Sequence, residues 1–118
     1  HTLQKAKQDG RIPNCPIYID SPLARRLDDV YQDYLSDEAL RSLAGSWISD
    51  TDEAWYRSTQ PGSSIIIASG GMCDSGRILD HLRYHIDDPR SSLVLVSYQA
   101  PDSLGAKLLS PSPIVRFK

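Results

Sequence analysis

The chain has 118 residues, of which 40% are hydrophobic and 24% are charged, and its formal net charge is −2. This length suits one compact domain, and the balanced charge excludes both a disordered tail and a uniformly basic nucleic-acid binder. No apolar run reaches the roughly 18 residues that span a bilayer, and no signal-peptide core is present, so we expect no membrane contact. The two cysteines, Cys15 and Cys73, form no CxxC pair. This argues against a disulfide framework and favours a cytoplasmic location.

The two ends of the sequence suggest a part of something longer. It opens on HTLQKAKQDG, which is typical of a helix entered midway, and it closes on SPIVRFK, an apolar run without a closing turn. We therefore expect residues 1–118 to form a single module excised from a longer protein. The alternative is that the termini are uninformative, with His1 left over from expression.

Three short apolar runs rich in β-branched residues predict strands at 17–19, 65–68 and 93–96. None of the three alternates polar with apolar residues. Continuous runs of this length are typical of strands that are covered on both faces, as in a parallel sheet.

Helical patterns lie between and after these runs. Residues 22–35 repeat apolar positions every three or four residues, with Ser21 as the expected N-cap and Pro22 in the first helical position. Residues 76–87 repeat the pattern until Pro89 stops it. The alternation predicts an α/β fold, namely a small, mostly parallel, three-layer and Rossmann-like sheet with right-handed crossover helices.

The stretch 36–63 has no clean period, and we interpret it as a variable excursion. Its first part, SDEALRSLAG, suggests a short helix that ends at Gly45. We expect the large aromatic residues Trp47, Trp55 and Tyr56 to pack back onto the sheet, because such side chains are seldom left in water without a partner.

The most informative segment is SIIIASGGMCDSGRILDHL, a strand followed by a glycine-rich turn and a helix. Glycines let the backbone approach a phosphate, and the helix that follows can offer unpaired N–H groups and the positive end of its dipole. Arg77 can add a charge-assisted hydrogen bond. The alternative is that the glycines only permit a tight turn. A nucleotide-binding P-loop is disfavoured, because Arg77 and Ile78 replace its Lys and its Ser or Thr.

The segment IYIDSPLARRL also has two compatible interpretations. Asp20 ends a strand and Ser21 caps the next helix, which is a purely structural role. Both residues would also lie at the carboxyl edge of the sheet, where ligands of open α/β sheets gather.

Other reactive side chains carry no prediction of catalysis or metal binding. His81 and His85 are four residues apart on the predicted helix 76–87, but HLRYH is not an HExxH motif and no third ligand is evident. Ser69 does not stand in a GxSxG motif. Cys73 is interpreted as a small filler rather than a nucleophile, because no activating base can be named. We therefore predict no catalytic residue and no metal ligand in this chain.

Taken together, IDSPLA, IIIASGGMCDSGRILDHL and DDPRSSLVLVSYQAPDSLGAKLL resemble, in order and spacing, the β-CASP region of metallo-β-lactamase-fold nucleases. The resemblance covers residues 12–109 and leaves 36–62 unmatched. It implies an α/β cap, inserted in the catalytic domain, that closes over a two-zinc site in proteins that cut RNA. In that family the substrate runs between the cap and the catalytic domain.

The resemblance also implies which residues contact the RNA backbone. The glycine-rich loop looks like the element that holds an RNA phosphate, Arg77 matches the arginine that follows it, and two further residues match the aromatic and amide after the last strand. The candidate substrate-binding residues are Ser69, Gly70, Gly71, Met72, Arg77, Tyr98 and Gln99.

The sequence departs from the family pattern in ways that bear on function. The family commonly has SSGM where this chain has SGGM at 69–72, so Gly70 removes one possible hydroxyl donor. Ser97 stands before YQA where the family usually has glycine, and the family's GTLG is replaced by DSLG at 102–105, in which Asp102 adds a negative charge. The HxHxDH zinc motif has no counterpart here, so we expect no cofactor in the fragment and two zinc ions in the parent.

The leading hypothesis is therefore the RNA-binding cap of a zinc-dependent ribonuclease, which is partnered by a flanking metallo-β-lactamase domain of the same chain and by RNA. The alternative hypothesis is a non-catalytic scaffold module in which the metal site has decayed. A third hypothesis, a free-standing nucleotide-binding protein, is supported only by the strand-turn-helix pattern. Homodimerisation, cleavage mode, base preference and the choice of RNA over DNA are left open.

Overall fold

The computed structural model describes residues 2–32, 34, 46–47 and 51–111. It has an α/β fold, as the sequence predicts. No helix in these ranges is long and apolar enough to cross a membrane. In chain order the elements are α1 (Thr2–Gln8), β1 (Ile17–Asp20), α2 (Pro22–Gln32), β2 (Ser46–Trp47), α3 (Thr51–Thr59), β3 (Ile65–Ala68), α4 (Ile78–His85) and α5 (Leu104–Leu108).

Two compact units make up the chain. The first comprises His1–Ser49 and Pro61–Ile67, and the second comprises Asp50–Gln60 and Ala68–Lys118. The first unit contains the sheet, and the second contains the glycine-rich turn together with α3, α4 and α5.

A three-stranded sheet with the order β2-β1-β3 forms the centre of the first unit. β1 runs parallel to β2, with Tyr18 opposite Ser46. Ile17 and Tyr18 are buried, as expected for a continuous apolar strand between two neighbours. β2 lies within the predicted excursion, and its two residues are too few to give a periodic signal.

Helix α2 begins where the sequence predicts. Ser21 Oγ accepts a hydrogen bond of 3.3 Å from the amide of Ala24, which confirms Ser21 as the N-cap. The apolar stripe of this helix is exposed, however: Leu23 is 63% exposed, Leu27 49% and Val30 56%.

Helix α3, in the second unit, is not predicted by the sequence. It packs against α4 and buries Ala54. Tyr56 is 53% exposed, and the Arg57 guanidinium lies 5.9 Å from its ring centre. This distance is in the range of a cation–π contact, and the expected packing of Tyr56 onto the sheet stays a prediction. The side chains of Trp47 and Trp55, and the SDEALRSLAG segment, lie outside the described residues.

The predicted strand at 93–96 is also wrong. These residues have no strand conformation, and Val94 and Val96 are 76% and 91% exposed. A strand is defined by pairing with a neighbour, and the described sheet contains β1, β2 and β3 alone. Apolar, β-branched composition favours a strand but does not supply that partner.

Candidate phosphate-binding loop

The glycine loop, residues 69–77, connects β3 to α4 and has an unusual backbone. Gly70 and Gly76 have φ values of +103° and +87°, and Cys73 has +60°. A Cβ on Gly70 would overlap the carbonyl oxygen of Ser75. Glycine is therefore required at position 70 both for its φ and for space, whatever the loop binds.

The beginning of α4 differs from the sequence-based prediction. Its first amides are not unpaired: Ile78 N donates to Ser69 O at 3.0 Å, and Leu79 N donates to Gly76 O at 3.2 Å. The loop curls back and satisfies the helix itself, which occupies the donors that a bound anion would need. An anion would have to use amides of the loop instead.

The peptide unit between Gly71 and Met72 supplies such a donor. Its carbonyl oxygen accepts hydrogen bonds from Ser97 Oγ at 3.0 Å and from Gln99 Nε2 at 2.8 Å. No cis peptide bond occurs among the described residues, so the N–H of Met72 points the opposite way from this carbonyl. Within the described part of the chain, neither the Gly71 nor the Met72 amide donates to a protein acceptor.

A second segment of the chain holds the glycine loop in this shape. We call residues 97–105 the bracing segment. Gly105 N donates to Met72 O at 2.9 Å, and Leu104 N donates to Asp74 Oδ1 at 2.6 Å. The carbonyls of Gly71 and Met72 are thus both engaged by the bracing segment, and the loop cannot turn them toward a ligand without breaking these bonds.

The bracing segment is itself fixed by the start of α5. Ser103 is buried and is the N-cap, since its Oγ accepts from the amide of Ala106 at 3.1 Å and donates to Ala100 O at 2.7 Å. Gly105 is buried, and a Cβ there would overlap Gln99 Oε1. Gly105 therefore allows the side chain of Gln99 to lie inside the turn.

The predicted contact residues thus occupy two kinds of position. Gly71 and Met72 are exposed in the glycine loop, and Met72 is 44% exposed. Tyr98 is 78% exposed, whereas Gln99 is half-buried with its amide turned toward Gly71. Arg77 is half-buried at the end of the loop, next to Ile78, and its contact with RNA stays a prediction.

Asp74 and Ser97 are parts of the site that the sequence does not predict. Both act on residues more than twenty positions away, Ser97 on Gly71 and Asp74 on Leu104. No local pattern reports contacts of that sequence separation. The sequence has one local signal here, and it marks only the start of α5: the Asp102–Ser103 pair is typical of a helix N-cap and predicts that a helix starts after Ser103.

Charges near the glycine loop are mixed. Asp74 and Asp102 are exposed, while Asp80 at the start of α4 forms a 3.1 Å ion pair with Arg83.

Burial, and then the neighbouring Asp74 carboxylate, raise the pKa of the Cys73 thiol. Cys73 therefore stays protonated at neutral pH, which agrees with its interpretation as a buried filler.

The two histidines of α4 do not form part of a metal centre with any third residue that is described. His81 is buried, and His85 has a buried Nε2 without a hydrogen-bond partner. Burial lowers the pKa of His85, His81 lowers it further, and Asp88 opposes them. Among the described ranges no three His, Cys, Asp or Glu side chains lie together in a way that could hold a metal. The described residues therefore offer no ligand set for the zinc ions, which the resemblance places in a flanking domain.

Known proteins match almost the whole chain. The chain is 34% identical to a ribonuclease (TTHA0252) of Thermus thermophilus, over 91% of this chain and 28% of that protein. It is 28% identical to the transcription termination factor FttA of Methanosarcina mazei, over 90% of this chain and 19% of the factor. It is also 28% identical to an RNase J-like protein of Methanocaldococcus jannaschii, over 86% of this chain and 25% of that protein.

These shares mean that the chain spans less than a third of the length of the curated relatives it matches. The family model of the Beta-Casp domain matches residues 1–108, which include the glycine loop and the bracing segment. The resemblance noted in the sequence is thereby confirmed, and the chain belongs to the β-CASP domain family.

Proposed function

We propose that this chain is the RNA-binding cap of a metal-dependent ribonuclease, and that the glycine loop binds a backbone phosphate. The observation that carries the proposal is the free N–H of Met72, which points away from a carbonyl held by Ser97 and Gln99. Relatives named as ribonucleases support RNA processing as the context.

Peptide amides suit a phosphate because they are donors without a competing acceptor once their carbonyls face inward. The adjacent N–H groups of Gly71 and Met72 can share one phosphate oxygen or two, and the Arg77 guanidinium adds a charge-assisted bond. Asp74 and Asp102 oppose the anion, so the loop positions a phosphate rather than supplying most of the affinity. None of these contacts reads the base.

Hydrolysis itself is assigned to the rest of the longer protein. The described residues offer no cluster of metal ligands, and the Cys73 thiol is not activated. The part played by this chain is to bind and orient the strand for a flanking metallo-β-lactamase domain. The preference for RNA over DNA comes from the relatives, because a phosphate cradle does not distinguish the two sugars.

The proposal is tested in the full-length protein that contains this chain, with single-stranded RNA. Arg77→Ala should weaken binding by about 1–3 kcal/mol, the scale of a charge-assisted contact, without changing the metal content. Arg83→Ala is the matched control, because Arg83 lies on α4 and is paired with Asp80. Equal affinities for the wild type and both variants would assign Arg77 a structural role. A wild type that binds no RNA would favour the scaffold alternative.

A further inference from the structure

We propose that Gln99 is a positioning residue, which sets the direction of the Gly71–Met72 peptide and thereby aims the Met72 N–H at the phosphate. This inference rests on the proposed function of the glycine loop. It gives Gln99 a role different from the direct RNA contact that the sequence suggests.

The orientation of the Gln99 amide is fixed by its neighbours. Nε2 donates to Gly71 O at 2.8 Å and to Ser97 O at 3.0 Å. Turning the amide over would place Oε1 against these same two carbonyl oxygens, which is repulsive. The two hydrogens of Nε2 are therefore both used inside the protein.

The other end of the amide cannot bind a phosphate. Gln99 Oε1 is buried and has no hydrogen-bond partner within the described part of the chain. It is an acceptor, as are phosphate oxygens, so the two groups cannot bond to each other. Gln99 consequently has no donor left for RNA, and any effect it has on binding must pass through the main-chain carbonyls that it bonds, those of Gly71 and Ser97.

Hydrogen bonds are needed to fix the orientation of the Gly71–Met72 peptide unit, because one of its flanking residues is glycine. Glycine adopts most backbone conformations at little cost, so a peptide unit beside it can rotate. A rotated unit would aim the Gly71 carbonyl oxygen, rather than the Met72 N–H, at the ligand. Gln99 and Ser97 both bond this oxygen from the same segment and so favour the orientation that receives an anion.

The test compares Gln99→Met with Gln60→Met in the full-length protein. Methionine keeps the length and flexibility of glutamine but removes the donor. Gln60 is a matched control, since its exposed Nε2 also donates to a main-chain carbonyl, that of Tyr56, at 3.3 Å. Two probes are used: a single-stranded RNA oligonucleotide, and the same oligonucleotide with uncharged methylphosphonate linkages.

We expect Gln99→Met to bind the native RNA about fivefold more weakly, the scale of one net hydrogen bond, while Gln60→Met binds as the wild type does. The preference for native over methylphosphonate RNA should also shrink in Gln99→Met, because the lost contact is to the phosphate. Gln99→Met that weakens both oligonucleotides by the same factor, or neither of them, would overturn the positioning role.

Ser97→Ala provides an independent reading should Gln99→Met fail to fold. Ser97 is exposed and gives the second bond to Gly71 O, so its loss should reduce the same preference in the same direction. An unchanged preference in folded Ser97→Ala would contradict the inference. If the wild type itself shows no preference between the two oligonucleotides, the proposed function fails. If the wild type shows one that Gln99→Met retains in full, only the role of Gln99 fails.

Discussion

The carboxylate of Asp74 accepts a 2.6 Å hydrogen bond from the amide of Leu104, a residue 30 positions further along the chain. Leu104 is the first residue of α5, so the negative charge of Asp74 also lies at the positive end of a short helix. Asp74 thus joins the glycine loop to the bracing segment at the cost of placing an anion near the proposed phosphate.

This double role gives opposite expectations for two variants. Asp74→Ala should lower the free energy of unfolding by about 0.5–1.5 kcal/mol, because the Leu104 amide loses its acceptor. Asp74→Asn keeps an acceptor oxygen and removes the charge, so it should be nearly as stable as the wild type and bind RNA more tightly. Urea denaturation and RNA titration measure the two effects, with the exposed Asp102→Asn for comparison. Weaker RNA binding by Asp74→Asn would be inconsistent with a phosphate at the loop.

A second prediction concerns backbone strain in the loop. Gly70 and Gly62 have nearly the same φ, +103° and +106°, but a Cβ at Gly62 meets nothing within 4 Å, whereas one at Gly70 overlaps Ser75 O. Gly62→Ala should therefore lower the free energy of unfolding by about 1 kcal/mol, which is the conformational strain alone. Gly70→Ala should lower the free energy of unfolding by roughly a further 1–3 kcal/mol, because the loop must also shift. Equal losses of stability in the two variants would show that the loop relaxes freely around position 70.

A third prediction concerns pH. The pKa of His85 is lowered in the folded protein from its ordinary value of 6.5, so the unfolded chain takes up the proton first as the pH falls. The stability contributed by neutral His85 is therefore present above about pH 6.5 and is lost as the pH falls through the lowered value. His85→Gln should show a smaller drop in unfolding midpoint between pH 7 and pH 5 than the wild type. The same drop in both proteins would assign the acid sensitivity to other groups.

The sequence predicts those elements whose signal is local. β1 and β3 are continuous apolar runs, α4 has a helical period, and Ser21 with Pro22 marks the start of α2. Helix α3 was missed because its sequence, TDEAWYRST, carries no continuous apolar stripe. It is held instead by packing against α4 and by the pair of Arg57 with Glu53 at 3.3 Å.

The sequence likewise predicts only the local part of the candidate site. Glycines after a buried strand predict a loop that can approach an anion, and the loop is present. The sequence does not tell which amides are free, since that depends on residues 28 positions away: Gln99 turns the Gly71 carbonyl inward. It also misplaces the donors in α4, because only the geometry shows that Ser69 and Gly76 supply the acceptors for its first turn.

Binding of a backbone phosphate by the Met72 N–H, on which the proposed function depends, can be measured directly. Met72 is the only methionine of this chain, so labelling the full-length protein with ¹⁵N-methionine and comparing it with Met72→Leu identifies its amide signal. Saturation with single-stranded RNA should move this amide proton downfield, as a new hydrogen bond to a phosphate oxygen requires. Saturating RNA that shifts other signals and leaves the Met72 amide signal in place would show that the Met72 N–H does not bind a phosphate.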